Sequence, residues 1–325
     1  MKFRFFLLSA VFILSPLHAG EPASVGDQLE SAVKDKMRNT ANQAFSYGDS
    51  MIESWARNNF SSLRLIELET KVRDNSKPQF RIISLFELMG NDTSATLTQL
   101  SFSTFDDRET INAGLVYRSF NANKTLMYGT NLFYDQQLHT GHQRFSYGLE
   151  LKSSVYDFNF NLYDATSSIH HVYDVPEVAA DGYDAELGLV VPYLPWAKIY
   201  YKKYQWTNET LNIKNGENLS LYMEPTSRLS LEAGMTNNST LSSKKTFVKL
   251  NYILCCADEV TRPSMFNISS NAFNYVPLEN NRFYEKVRRE NNIIVVRGSV
   301  SVICGIIVCS SACCSSVVLD WCGCA

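Results

Sequence analysis

Residues 110–164 read TINAGLVYRSFNANKTLMYGTNLFYDQQLHTGHQRFSYGLELKSSVYDFNFNLYD, and their spacing decides the fold. Ile111, Ala113, Leu115 and Tyr117 fall on one side of an extended chain, with Asn112, Gly114 and Arg118 on the other. The next run sets Leu126, Tyr128, Thr130, Leu132 and Tyr134 against Gly129, Asn131 and Asp135. Phe145, Tyr147, Leu149 and Leu151 then oppose Ser146, Gly148, Glu150 and Lys152, and Tyr156, Phe158, Phe160 and Leu162 oppose Asp157, Asn159 and Asn161. A period of two belongs to strands, because successive side chains leave opposite faces of the pleat.

A soluble sandwich with one wet face would also alternate, but its strands average about five or six residues. These runs are longer and rich in aromatics. A strand crossing a bilayer needs about 9–11 tilted residues, an apolar outer face with aromatics near its ends, and a polar inner face. The stretch meets all three conditions and predicts a transmembrane barrel.

Outward from it, twelve strand candidates follow one another: 63–72, 79–88, 95–104, 110–120, 125–136, 144–153, 155–163, 183–191, 197–204, 218–224, 229–236 and 245–254. An even count suits a bacterial single-chain barrel. Connections after odd strands include the long 164–182 and 205–217; those after even strands include the short 121–124, 154 and 225–228. Short periplasmic turns and longer outer loops would place the N-terminus in the periplasm.

The chain has 325 residues and a formal net charge of −3, with Lys and Arg interspersed among Asp and Glu, so no basic stripe points to nucleic acid. Residues 1–19 read as a signal peptide: Lys2 and Arg4, an apolar core from Phe5 to Leu14, and a cleavage site at Leu17-His18-Ala19. Residues 20–60 read as a periplasmic helical segment, since Leu29, Val33 and Met37, then Met51, Ile52 and Trp55, form an amphipathic pattern. The barrel is expected over 61–256, a linker or plug over 257–298, and a separate Cys-rich tail over 299–325 that holds six of the eight cysteines.

The residues resemble the intimin and invasin group of inverse autotransporters. The resemblance rests on Gly129, Asn131, Phe133, Tyr134 and Asp135, then Gly141, His142 and Arg144, then Gly148 and Glu150. It continues in Glu177 to Asp184 with Ala180, Gly182 and Tyr183, although Val178-Ala179 stand where Arg-Pro is usual in the family, and in Leu194 to Ile199 with Tyr201 and Tyr204. A last block is Arg282, Tyr284, Val287, Arg289, Asn291, Asn292, Ile293 and Ile294. The resemblance implies an all-β, 12-stranded antiparallel outer-membrane β-barrel with a short N-terminal periplasmic helix and a C-terminal linker through the pore, a non-enzymatic translocator and anchor of type V secretion that displays a passenger for cell adhesion. It implies no cofactor. Its implied partners are the outer-membrane lipid bilayer, the barrel-assembly machinery, periplasmic chaperones and, where a passenger exists, a host-cell receptor. The tail lacks immunoglobulin-like repeats and reads as a missing or truncated passenger, with a disulfide knot or a membrane segment as the alternatives.

Lumen-facing charges follow from parity: Glu67, Glu69, Lys71, Arg81, Glu87, Arg118, Asp135, Glu150, Lys152, Asp157, Asp184, Glu186, Glu232 and Lys249. They either meet a polar linker or face pore water. His139, His142, His170 and His171 sit on outer loops without ligand-spaced partners and read as solvated, with His142 and Arg144 anchoring a loop to Asp135 or Glu150. A lipase would need a Ser and His within reach of each other on an outward face, and no His-x-Ser element supplies them. A porin-like channel is the nearer alternative. Within the linker, residues 282–289 read as a short helix at the periplasmic mouth and 291–297 as an extended plug. Crossing about 45 Å of membrane from Asn291 takes roughly fourteen extended residues, which would end near Cys304.

Overall fold

The computed structural model describes residues 51, 53–74, 76–173, 175–207, 214–239, 241, 243–256 and 267–297. The expected signal peptide, most of the expected amphipathic segment and the Cys-rich tail lie outside these residues; 51 and 53–59 are helical.

Fifteen strands follow in chain order among the described residues: β1 (Leu63–Arg73), β2 (Gln79–Gly90), β3 (Ser94–Phe105), β4 (Arg108–Phe120), β5 (Met127–Gln137), β6 (Gln143–Lys152), β7 (Tyr156–Ala165), β8 (His170–Val172), β9 (Val175–Ala179), β10 (Asp181–Val191), β11 (Leu194–Thr207), β12 (Lys214–Met223), β13 (Leu229–Asn238), β14 (Lys245–Cys255) and β15 (Val295–Arg297). Twelve of them close an antiparallel barrel in the order β1-β14-β13-β12-β11-β10-β7-β6-β5-β4-β3-β2. The seam is β1 on β14, with Glu69 opposite Asn251 and Lys71 opposite Lys249. Cys255 and Cys256 form a vicinal disulfide at the end of β14, where the backbone turns through φ 69° at Cys256.

The parity holds along the deciding stretch. Ile111, Leu115 and Tyr117 are 43%, 51% and 47% exposed on the outer face, whereas Asn112, Val116 and Arg118 are wholly buried inside. Outward apolar side chains meet lipid, and inward polar ones meet each other. A lysine replacing Leu149, 57% exposed near the middle of β6, is expected to cost about 2–4 kcal/mol in a folding titration. A lysine replacing Asn218, which lines a lumen cavity of about 80 Å³, should cost far less. Equal costs would reverse the inside and outside assignment.

Two differences from the sequence reading stand out. The connection expected over 164–182 contains β8 and β9, which join β15 in a separate sheet of order β15-β9-β8. These strands have three and five residues, too short for periodicity to register. The loop expected over 205–217 is also smaller, because the β11–β12 ladder continues to Trp206 opposite Lys214.

The turns after β2, β4, β6, β10 and β12 share one end of the barrel, and the connection 91–93 is as short as its companions. Residues 267–278 lie against this end: Ser269 N donates to Tyr193 O, Tyr193 N to Ala272 O, and Leu278 N to Lys124 O. A 3₁₀ turn, Asn280–Tyr284, follows.

Candidate functional site: the linker inside the barrel

The chain enters the lumen at the short-turn end and leaves at the opposite one, where Ala180 N donates to Ile294 O at 2.8 Å and β15 pairs with β9. The helix expected over 282–289 is replaced by the five-residue 3₁₀ turn and an extended segment. The end opposite the short turns is therefore reached at 295–297 rather than near residue 304. The extended form wins because it sends alternate side chains to opposite walls. Lys286 and Arg288 reach the carboxylates of β1, β10 and β13, while Val287 packs in the apolar cluster that includes Leu97 of β3 and Arg289 reaches β5 and β6.

The first half of the passage is apolar on one side. Leu278, Phe283 and Val287 join a cluster with Leu65, Leu85, Leu97, Val116, Met127 and Phe133 of the wall. Phe283 stacks on Phe120 with ring centroids 4.2 Å apart, and Tyr284 Oη donates to Glu87 at 2.9 Å. Val287 N donates to Gln99 Oε1 at 2.9 Å, so the main chain is satisfied by a lumen side chain where no strand accompanies it.

The second layer is ionic. Arg118 grips Glu150 through two nitrogens at 2.8 and 3.0 Å and donates to the linker carbonyls of Phe283 and Glu285. A Cβ at Gly129 would come within 2.6 Å of Glu150 Oε2, which is why the motif carries glycine there. Lys286 bonds Glu67, Glu69 and Asn251; Arg288 bonds Glu186 and Glu232 and lies 3.8 Å over the Tyr200 ring. Asp135 receives Arg144 at 2.7 Å and Arg289 at 2.6 Å, and all three side chains are fully buried. Arg289 also donates to Ser146 and stacks on Phe133, while Arg144 donates to Glu290 O. Asp184 accepts from Tyr163 Oη at 2.6 Å, and that same oxygen accepts Glu290 N. Arg282 reaches Asp157 at 2.7 Å near the entrance.

Farther along, Asn112 donates to Asn291 O, Gln79 to Asn292 Oδ1, and Gln137 to Ile293 O. Most of the motif residues thus converge on the linker or on the side chains that hold it. Tyr134 does not; it faces outward beside Phe145. Asn131 is buried opposite Gly148, with neither side-chain polar atom bonded among the described residues. Lys286 and Arg288, absent from the sequence-based set of linker residues, become visible once a period of two is applied from Arg282 onward.

At the rim opposite the short turns the histidines are not all solvated. His142 is fully buried, and it meets neither Asp135 nor Glu150. Its Nδ1 lies 3.3 Å from Ser167 Oγ, its Nε2 lies 3.6 Å from Glu177, and its ring packs edge-on to His170 at 4.9 Å. The β8–β9 hairpin, invisible to periodicity, folds over the histidine and excludes water. Gly141, at φ +76°, completes the turn beneath, where a Cβ would come within 3.3 Å of His170. His139 remains exposed beside Glu109. Burial, with His170 adding to it, holds the His142 imidazole below its ordinary value, against an opposing pull from Glu177. Burial also opposes the charge on Glu177, but bonds from Arg108 and Arg297 more than offset it and keep its carboxyl below the usual range. Among the described residues, no group of three or more His, Cys, Asp or Glu is placed to hold a metal ion.

A family model described as "Inverse autotransporter, beta-domain" matches residues 18–291. No curated protein sequence matches the chain. One solved structure, described as "Unveiling the Mechanism Behind the in-meso Crystallization of Membrane Proteins", superposes with TM-score 0.59 at 17% identity, covering 72% of this chain and 100% of the other. It shares the barrel fold. KdgM porin (TM-score 0.38, 8% identity, 57% and 97% covered) and outer membrane phospholipase A from Escherichia coli (TM-score 0.38, 11% identity, 64% and 97% covered) are more distant.

Proposed function

This chain belongs to the inverse autotransporter β-domain family, and we propose that its barrel anchors a C-terminal passenger in the outer membrane and leads it to the cell surface, in the manner of the intimin and invasin group. One observation carries the reading: a single extended segment, seated by buried ion pairs, runs through the lumen from the short-turn end to the end where β15 emerges. A channel for solutes would have no use for a filled lumen. In this reading the short turns face the periplasm, the N-terminal segment lies there too, and whatever follows residue 297 emerges outside. Barrel-assembly machinery and periplasmic chaperones are the partners such a route requires, and adhesion to a host-cell receptor would be a property of the passenger.

The test is topological. An epitope inserted between Ala165 and Ile169, on the long connection after β7, should be reached by antibody on intact cells, whereas one in the turn 224–228 should be reached only after permeabilisation. The reverse pattern would invert the barrel and remove the proposed route.

A further inference from the structure

We propose that Glu177 and His142 form a proton-sensitive clasp that fixes the linker to the barrel rim where the chain leaves the pore. The proposal rests on the translocator reading above and adds a control point to it.

The geometry gathers three separate parts of the molecule on one carboxylate. Glu177 belongs to β9, and its Oε1 accepts Arg108 Nη2 at 2.7 Å and Arg297 Nε at 2.8 Å. Arg108 opens barrel strand β4, and Arg297 ends the linker strand β15. Arg297 also stands directly opposite Glu177 in the β15–β9 register. One acid therefore ties wall, hairpin and linker together.

Its other oxygen, Oε2, faces His142 Nε2 at 3.6 Å. Both atoms are buried, and neither has another partner among the described residues. The groups around His142 are Glu177 from β9, His170 from β8, Ser167 from the outer connection and Arg108 from β4, with Arg297 of β15 beyond Glu177. His139 of the same turn is occupied by Glu109. A neutral His142 leaves Glu177 to its two arginines. A second proton would add a cation beside Arg108 and His170 in a site closed to water, a cost that the attraction of Glu177 only partly offsets.

The sign follows from linkage. The closed site disfavours the charged imidazole, so protonation favours the open one. The clasp is complete above the ordinary imidazole range, near about pH 6.5, and loosens as pH falls through it, by at most about tenfold per pH unit for one proton.

Hydrogen exchange on the full chain in lipid nanodiscs, corrected for intrinsic rates, reads this directly. Peptides covering 175–181 and 293–297 should lose protection between pH 7.5 and 5.0, while barrel peptides from β5 and β14 keep theirs. His142→Gln should retain rim protection at both pH values, and Glu177→Gln should lose it at both, each with barrel protection intact. Rim protection that does not change with pH, or that still falls in His142→Gln, overturns the clasp. The amides of Val287 and Glu290 separate the two readings: protected there but pH-independent at the rim defeats the clasp alone, whereas unprotected there at pH 7.5 means the linker is not seated and the translocator reading fails as well.

Discussion

Removing residues 282–297 should convert a nearly closed barrel into an open one, raising single-channel conductance at least several-fold in planar bilayers. The deleted segment supplies Lys286, Arg288 and Arg289, the partners of Glu67, Glu69, Glu186, Glu232 and Asp135. These carboxylates line a lumen that water can refill once the segment is gone, so the wall should survive, held by the closed ladder from β1 to β14. The new pore would carry excess negative charge and should prefer cations. The apolar patch of Leu65, Leu85, Leu97 and Val116, newly wetted, would lower stability without opening the seam. Survival of the barrel is checked by its faster migration on a gel before boiling than after. Unchanged conductance in a correctly folded deletion would show that the segment does not occlude the lumen.

Asp135→Ala should be among the most destabilising single substitutions in the barrel, at about 3–5 kcal/mol. It strands Arg144 and Arg289, both fully buried, beside an empty methyl. Removing one member of a buried ion group costs more than the intact group contributes, because the remaining charges stay desolvated. Denaturant titration in detergent or lipid gives the number. The double variant Asp135→Ala, Arg289→Ala should recover part of the loss, with a coupling of about 0.5–3 kcal/mol. A cost below about 1 kcal/mol for Asp135→Ala would be that of an exposed surface pair and would mean that water reaches this layer.

The barrel itself was legible from residues 110–164, because lipid on one side and a polar lumen on the other force a strict period of two. The fourteen charges assigned inward by that parity are buried or half-buried in the structure. The conformation of the segment after the barrel was not legible. Arg282, Lys286 and Arg289 recur at helical spacing, and only the carboxylates waiting on opposite walls make an extended chain the better solution. His142 was misread because its burial depends on the β8–β9 hairpin, whose strands are shorter than any window in which alternation can be counted. Tyr134 shows the converse: it sits within the motif, yet its parity already placed it on the lipid side.

The seam between β1 and β14 joins the two ends of the barrel sequence, and Lys286 finds its partner Glu67 across 219 residues. Contacts so distant along the chain form late, after the entropy of closing the intervening loop has been overcome. Ring closure and the seating of the linker therefore compete in time. A ring that shuts first leaves the linker to be threaded through an already bounded opening, while a linker that seats first presents β1 and β14 with a charged core around which to zip. The chain's order of assembly, as much as its final contacts, decides whether the pore ends up occupied.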